Sequence, residues 1–159
     1  MCIRDRCKSV YITPIESDTQ YGDEWLFCFG NVASDKIDSS SGKSLVESFY
    51  KVYLATYCSM CGDLNVRLQS LRLSNLSHTA LEQFKKAEQE YLQDTFEGYD
   101  LLVTNFDFDS MWFKSLKVLP LDADNYQVTY QAGKYTHQMN IQTTYQEGRY
   151  WISAITGVH

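Results

Sequence analysis

The sequence predicts an α+β domain in which N-terminal helices pack on one face of a curved, four-stranded antiparallel sheet. Before Gly98, apolar side chains recur at the three- and four-residue spacing of amphipathic helices, whereas after it they alternate with the two-residue period of strands. Short turns that contain glycine separate the last strands, as in hairpins. Helices followed by a run of strands are typical of the α+β class.

The chain of 159 residues has the size of one domain. We expect a leader or extended segment over residues 1–43, with a strand at WLFCF (25–29), and a single α+β domain over residues 44–159. Residues 1–7, MCIRDRC, resemble translated sequencing-adapter sequence from environmental DNA assemblies, so we expect them to be artefactual. If a signal was lost with the true start, the protein is periplasmic or belongs to the cell envelope. Otherwise a cytoplasmic location is expected.

Three helices are predicted in the first half of this domain. Their expected extents are about 45–57, from near Asp63 to the Ser/Asn cluster 74–77, and about 78–93. Ser44 with Glu47 has the spacing of a capping box at the start of the first helix, and Ser77 can cap the third. One side of each helix is apolar and is expected to face the core: Leu45, Phe49, Val52 and Tyr53; Leu64, Leu68 and Leu71; Leu81, Phe84, Ala87 and Tyr91.

Four strands are predicted to form an antiparallel meander, over 115–121, 126–132, 135–146 and 149–156. One phase of the strands is apolar and should meet the helices: Val128, Tyr130, His137, Met139 and Ile141, with either Trp151 or Ile152. The opposite phase carries no charge: Gln127, Thr129, Gln131, Thr136, Gln138, Asn140, Gln142 and Thr144. Exposed sheets usually carry charged side chains. We therefore take Gln127, Thr129, Gln138, Asn140 and Gln142 as a candidate interface with a protein partner or second subunit; a solvated polar face is the alternative.

Composition excludes several classes of partner. A net charge of −6 and a pI near 5.0, with scattered Lys and Arg, argue against nucleic acid and favour a basic protein partner. No apolar run approaches the roughly 18 residues that a membrane span requires.

The sequence GKS (42–44) lacks the preceding glycine of a phosphate-binding loop, because that position is Ile37. Cys58 and Cys61 follow a helical pattern, which favours two ordinary cysteines over a redox pair or metal site and leaves their disulfide state open.

The stretch YDLLVTNFDFDSMW (99–112) holds three candidate functional aspartates: Asp100, Asp107 and Asp109. One of them could act as a general base beside His137 or a tyrosine, in a pocket lined by Trp112, Tyr130, His137 and Trp151. In the structural interpretation, Asp100 and Asp109 cap backbone amides while Leu101, Phe106, Phe108 and Trp112 fill the core. A calcium loop would also need a glycine turn and a distal glutamate, so no metal or cofactor is expected.

The spacing D-(six residues)-D-x-D-x-x-W-x-x-x-LKV, formed by Asp100, Asp107, Asp109, Trp112 and 116–118, resembles a bacterial family of uncharacterised domains. The similarity extends over about residues 44–156 and includes SLVESFYKVYL, LEQF, VTY and RYWISAI. That family belongs to the cystatin-like, nuclear-transport-factor-2-like group and is related to immunity proteins of type VI secretion systems. The resemblance implies a cone formed by a curved sheet and helices, frequent export, and no catalytic residue that can be carried over.

The functional prediction is a non-enzymatic binding or interaction module. Its most specific version is an immunity-type inhibitor of a toxin or cell-envelope partner. The acidic charge, the twelve tyrosines and the uncharged strand phase motivate this prediction, because tyrosine and tryptophan dominate protein-binding hot spots. The alternative is a small-ligand-binding protein or enzyme that uses an Asp/His/Tyr pocket in the sheet cone.

Overall fold

The computed structural model describes residues 37–58, 64–95, 100–103 and 110–156, with all four of its helices before all four of its strands. The helices are α1 (Gly42–Cys58), α2 (Leu64–Asn75), α3 (His78–Thr95) and α4 (Ser110–Ser115). The strands are β1 (Lys117–Pro120), β2 (Asn125–Ala132), β3 (Tyr135–Gln146) and β4 (Arg149–Thr156). They form one antiparallel sheet in the order β1-β2-β3-β4. The predicted α+β class and four-stranded meander are confirmed.

Helix α1 begins earlier than the sequence suggested. Its N-cap is Ser41, whose Oγ accepts a hydrogen bond from the Ser44 amide at 3.0 Å. The prediction of Ser44 as the cap, with Glu47 completing a capping box, is therefore wrong. The helix gains this extra turn because Gly42 has no side chain. A Cβ at this position would lie 2.6 Å from Thr143 Oγ1 and 2.7 Å from the Tyr126 hydroxyl, so only glycine allows α1 to approach the sheet this closely.

The helices and the sheet share one hydrophobic core. Helix α1 contributes most of the helical share, and α2 and α3 add Leu68, Ala80 and Phe84. Predicted core residues Leu45, Phe49 and Tyr53 are fully buried, whereas Val52 is only half-buried. Tyr50 was not predicted to be in the core. It is completely buried, and its hydroxyl donates a hydrogen bond to the sulfur of Met139 at 3.1 Å.

The other predicted boundaries hold with one exception. Helix α2 ends at the Ser/Asn cluster as expected, and Ser77 Oγ accepts a hydrogen bond from the Ala80 amide at 3.3 Å to cap α3. The first predicted strand is shorter than expected, because Ser115 ends helix α4 and the strand begins only at Lys117. This helix places Trp112 in the core against β2.

Two tight turns fix the register of the three longer strands. The β2–β3 turn contains Gly133 at φ 57°, and the β3–β4 turn contains Glu147 at φ 53° and Gly148 at φ 80°. In the β3–β4 turn the two successive positive φ values are those of a type I′ turn, whose twist matches the right-handed twist of paired strands. The two predicted glycine-containing hairpin turns are thus confirmed.

The two faces of the sheet differ in chemistry. The inner face packs on the helices and carries Val118; Tyr126, Val128 and Tyr130; Met139, Ile141 and Thr143; Ile152 and Ile155. We call the opposite side the outer face; it carries Lys117 and Leu119; Gln127, Thr129 and Gln131; Thr136, Gln138, Asn140, Gln142 and Thr144; Arg149, Trp151 and Ala154. The register of the β3–β4 pair decides the open alternative, because it places Ile152 opposite Thr143 of the inner face and Trp151 opposite Thr144 of the outer face. A bulge in β4 beyond Ile152 then brings Ile155 onto the inner face as well.

Strand β4 is an edge strand whose free side is closed by the helical layer. The Gln83 side chain on α3 accepts a hydrogen bond from the Ile155 amide at 3.0 Å and donates one to the Ile155 carbonyl. The Ser77 amide donates to the Ile152 carbonyl at 2.8 Å. These contacts occupy backbone groups that would otherwise be open to pairing with another chain.

Several predictions fall outside the described residues. They concern the leader over residues 1–36, the strand at 25–29, Cys61, the side chains of Phe106 and Phe108, and the candidates Asp107 and Asp109. Within the described ranges, none of the helices combines the length and apolar character that crossing a bilayer requires.

Candidate functional site

The most polar buried cluster in the described part of the chain surrounds Asp100. This residue follows the segment 96–99 and opens the turn 101–103, and only 8% of its surface is exposed. Its Oδ1 accepts a hydrogen bond from the Leu102 amide at 2.9 Å, so Asp100 caps its own turn. That capping role was predicted from the sequence.

The other carboxylate oxygen of Asp100 faces helices α1 and α2. Asp100 Oδ2 accepts a hydrogen bond from the Tyr53 hydroxyl at 2.6 Å and another from the Tyr57 hydroxyl. The two tyrosines are four residues apart on α1, so their side chains lie on the same side of the helix. We call Asp100, Tyr53, Tyr57 and Arg72 the Asp100 cluster.

Arg72 on α2 completes the cluster. Its Nη1 donates a hydrogen bond to the Tyr53 hydroxyl at 2.8 Å and lies 3.5 Å from Asp100 Oδ2. Its guanidinium also lies 4.4 Å from the centre of the Phe84 ring on α3. The cluster therefore connects three helices to the turn at 100–103, and its carboxylate and guanidinium charges compensate each other.

The protonation states follow from burial and from these neighbours. Burial and the nearby Asp100 carboxylate both raise the pKa of Tyr53 and Tyr57 well above the usual range of tyrosine. Burial opposes the charge of Arg72, but Tyr53 and Asp100 outweigh it and raise the pKa of the guanidinium. Both phenols consequently remain hydrogen-bond donors at neutral pH.

This chemistry suits a structural joint better than a catalytic base. A general base needs a free lone pair directed at a substrate. Here both Asp100 oxygens already accept hydrogen bonds from described residues, and one of them also faces Arg72. Sequence reasoning singled out Asp100 and Tyr53 separately, but it missed Tyr57 and Arg72. The available signal was the placement of Arg72 four residues after the buried Leu68, on the inward side of α2.

A second cluster is aromatic and lies on the inner face. Trp112 and Tyr130 have ring centroids 5.1 Å apart, and Tyr130 stacks on His137 at 5.2 Å with an interplanar angle of 9°. Burial lowers the pKa of His137. The structure thus brings together three of the predicted pocket residues. Trp151, the fourth, lies across the sheet on the outer face.

The outer face carries its own aromatic and cationic pair. The Arg149 guanidinium lies 4.3 Å from the centre of the Trp151 ring, and Trp151 Nε1 donates a hydrogen bond to the Gln146 carbonyl at 3.2 Å. Arg149 Nη2 also donates to Asn75 Oδ1 at 3.2 Å. The Trp151 ring is therefore fixed at one corner of the outer face, beside the β3–β4 turn.

The centre of the outer face contains the predicted interface residues. Register places Gln127 opposite Asn140, Thr129 opposite Gln138, and Gln142 on the same phase. Gln142 is exposed, and the others are half-buried. The Oδ1 atom of Asn140 is buried without a hydrogen-bond partner among the described residues. In this part of the chain, the only charged side chains on the outer face are Lys117 and Arg149, at its opposite ends.

The described residues contain no group of three or more His, Cys, Asp or Glu side chains that could hold a metal ion. Cys58 is the last residue of α1.

Comparison with known proteins identifies a structural neighbour. No protein-family model matches the chain, and no curated protein matches its sequence. A solved structure that matches is a protein of unknown function from Bacteroides thetaiotaomicron VPI-5482, with a TM-score of 0.62 and 21% sequence identity. The match covers 73% of this chain and 88% of that chain. The chain therefore shares its fold with a bacterial protein of unknown function.

Proposed function

We propose that this chain is a non-enzymatic protein-binding module that uses the outer face of its sheet. The observation that carries the proposal is the Trp151–Arg149 stack beside an uncharged surface of Gln, Asn and Thr side chains. Tryptophan and arginine are among the residues most enriched in binding hot spots, and charged residues are depleted from interface centres. The helices and the hydrophobic core occupy the inner face.

The proposal extends to the kind of protein. The residues that resemble the cystatin-like, nuclear-transport-factor-2-like group suggest an immunity-type inhibitor that holds a toxin or a cell-envelope protein. The acidic net charge of the chain favours a basic partner, because long-range attraction between opposite charges accelerates the encounter of two proteins. The uncharged outer face would then make the close contacts.

The test is capture of the product of a gene adjacent to the one encoding this chain. The two proteins are coexpressed, and the tagged chain is used to isolate its partner. We expect a stoichiometric complex with the unmodified chain and loss of that complex with Trp151→Ala. The matched control is Tyr135→Ala, which removes an aromatic ring that is 63% exposed but lies at the β2–β3 turn rather than on the outer face.

If the partner is a toxin, its expression should arrest growth, and coexpression of the chain should restore it. Trp151→Ala should abolish this rescue, while Tyr135→Ala should retain it. A complex that survives Trp151→Ala and is disrupted by Tyr135→Ala would refute the outer face as the binding surface.

A small-ligand function is the second candidate, because the Asp100 cluster does bring an aspartate and two tyrosines within hydrogen-bond reach. It would require a substrate that displaces the Tyr57 hydroxyl from Asp100. The discriminating variant is Tyr57→Phe: lost turnover or lost ligand binding with an unchanged melting temperature would favour this second function over the first.

A further inference from the structure

The pairing of strands places two apolar regions at opposite edges of the outer face. At the β1 edge, Leu119 and Leu121 are each 52% exposed. At the β4 edge lie Ala154 and Trp151. Between these edges, β2 and β3 present only uncharged polar side chains on the outer face. Across a two-fold axis the same surface of each copy meets the other, so one part of that surface must be complementary to another part.

We propose that two copies of this chain pair through their outer faces, about a two-fold axis that runs parallel to the strands between β2 and β3. This inference rests on the proposed function, because it names an occupant of the same binding surface. Such an axis places β1 of one copy over β4 of the other. Leu121 lies in the same row as Ala154, since Asn125 links them through its contacts with Leu121 and Gln142. Leu121 of each copy would therefore lie over Ala154 of the other.

Charge placement favours the same arrangement. Residues close to a two-fold axis meet their own counterparts, so any charge there is repelled by a like charge. The residues flanking the axis are Gln127, Thr129, Gln138, Asn140 and Gln142, which carry no charge. Amide side chains can both donate and accept hydrogen bonds, so each can pair with its own kind.

The two basic side chains of the outer face stay apart in this dimer. Lys117 lies in the row of Gln138, whereas Arg149 pairs with Gln146. These rows are eight residues apart along β3, a separation of about 27 Å at the rise of an antiparallel strand. The two copies of each residue lie on opposite sides of the axis, three strand spacings or about 14 Å apart in projection. Both separations are beyond the screening length of about 8 Å at physiological ionic strength. Like charges consequently do not oppose the pairing.

The size of the surface indicates a weak dimer. Four strands spaced about 4.8 Å apart, with a mean length of eight residues, give a face of about 500 Å² in projection. Stable complexes bury about 800 Å² on each partner, and smaller interfaces are typical of transient contacts. We therefore expect a dissociation constant on the order of micromolar, which would allow another protein to displace the second copy.

The test is sedimentation velocity of the full chain between about 1 µM and about 300 µM, a range that brackets weak protein–protein affinity. The unmodified chain should shift from monomer to dimer. Gln142 is exposed and lies next to the axis, where the two copies of the residue are separated by about 4.8 Å in projection. Gln142→Lys and Gln142→Glu should each weaken the dimer by about tenfold or more, because each places like charges together.

Mixing the two Gln142 variants should restore the dimer, because each copy then meets an opposite charge. A general loss of folding cannot produce this rescue. The matched controls are Gln69→Lys and Gln69→Glu, which make the same changes at an exposed residue of α2 and should leave association unchanged. Circular dichroism checks that every variant is folded.

Two results would overturn the dimer: a chain that stays monomeric across the range, or mixed variants that associate no better than each alone. The first result would leave the proposed function intact if partner capture still depends on Trp151. Conversely, a dimer with the predicted charge dependence would stand even if no partner is captured by the outer face.

Discussion

The carboxylate of Asp100 accepts a hydrogen bond from the hydroxyl of Tyr53 at 2.6 Å, across 47 residues of sequence. Helix α1 and the turn at 100–103 are thereby joined in the interior. The guanidinium of Arg72 is in contact with both residues, so neither the carboxylate nor the phenol is buried without a compensating group.

Replacing Asp100 with Asn should destabilise the fold more than it changes any binding. The amide keeps the shape of the side chain but removes the charge that faces Arg72 and one of the acceptor oxygens. We expect the free energy of unfolding to fall by about 3 kcal/mol. Denaturant titration measures the loss, and Asp124→Asn, an exposed change in the β1–β2 turn, is the control that should have little effect. An unaltered unfolding curve together with lost function would instead indicate an active-site role.

The two tyrosines of the Asp100 cluster should differ in their contributions. The Tyr53 hydroxyl donates a hydrogen bond to Asp100 and accepts one from Arg72, whereas the Tyr57 hydroxyl donates a hydrogen bond to Asp100. Tyr53→Phe should therefore cost about 2 kcal/mol and Tyr57→Phe about 1 kcal/mol. Each variant combined with Asp100→Asn in a double-mutant cycle should show a coupling energy clearly different from zero. Additive effects would contradict the cluster.

Gly42→Ala should destabilise the chain although alanine is the better helix former. The new methyl group would lie 2.6 Å from Thr143 Oγ1 and 2.7 Å from the Tyr126 hydroxyl, so α1 or the sheet has to move. The expected loss is about 1–3 kcal/mol. Lys43→Ala in the same turn is the control, since Lys43 is exposed and should tolerate the change. A stabilised Gly42→Ala variant would mean that helix propensity outweighs this close approach.

Gln83→Glu should weaken the closure of the β4 edge. The side-chain amide both donates to and accepts from the backbone of Ile155, and a carboxylate can only accept. We expect a loss of about 1–2 kcal/mol, because the Ile155 carbonyl loses its donor. Faster aggregation should follow from an edge that is more available for pairing, measured by light scattering. Gln89→Glu, at an exposed residue of the same helix, should show neither effect.

His137 should make stability depend on pH near neutrality. Burial lowers its pKa in the folded chain below the ordinary value of 6.5. The unfolded chain therefore binds a proton first as the pH falls, so the free energy of unfolding should decrease from pH 7.5 towards pH 5. His137→Gln should flatten this slope, and His78→Gln, at an exposed residue of α3, should leave it intact. An identical slope in the His137 variant would assign the pH dependence to other groups.

Local pattern predicted most of the architecture. The helix from Leu64 and the helix from His78 follow from apolar spacing, with a serine cap before the second, and the two hairpins follow from the glycines at their turns. These features depend on residues a few positions apart, so they can be recognised in the sequence. The start of α1 could not be predicted in this way, because it depends on the space that Tyr126 and Thr143 leave beside Gly42.

The sequence by itself determined the order of helices and strands, the uncharged phase of β2 and β3, and the capping role of Asp100. Only the tertiary structure decided that Tyr53, Tyr57 and Arg72 converge on Asp100, and that Trp151 lies on the outer face. The first depends on contacts between side chains up to 47 residues apart. The second depends on the register between β3 and β4, which sets Trp151 opposite Thr144 of the uncharged phase, whereas the sequence of β4 alone suits either Trp151 or Ile152 to the core.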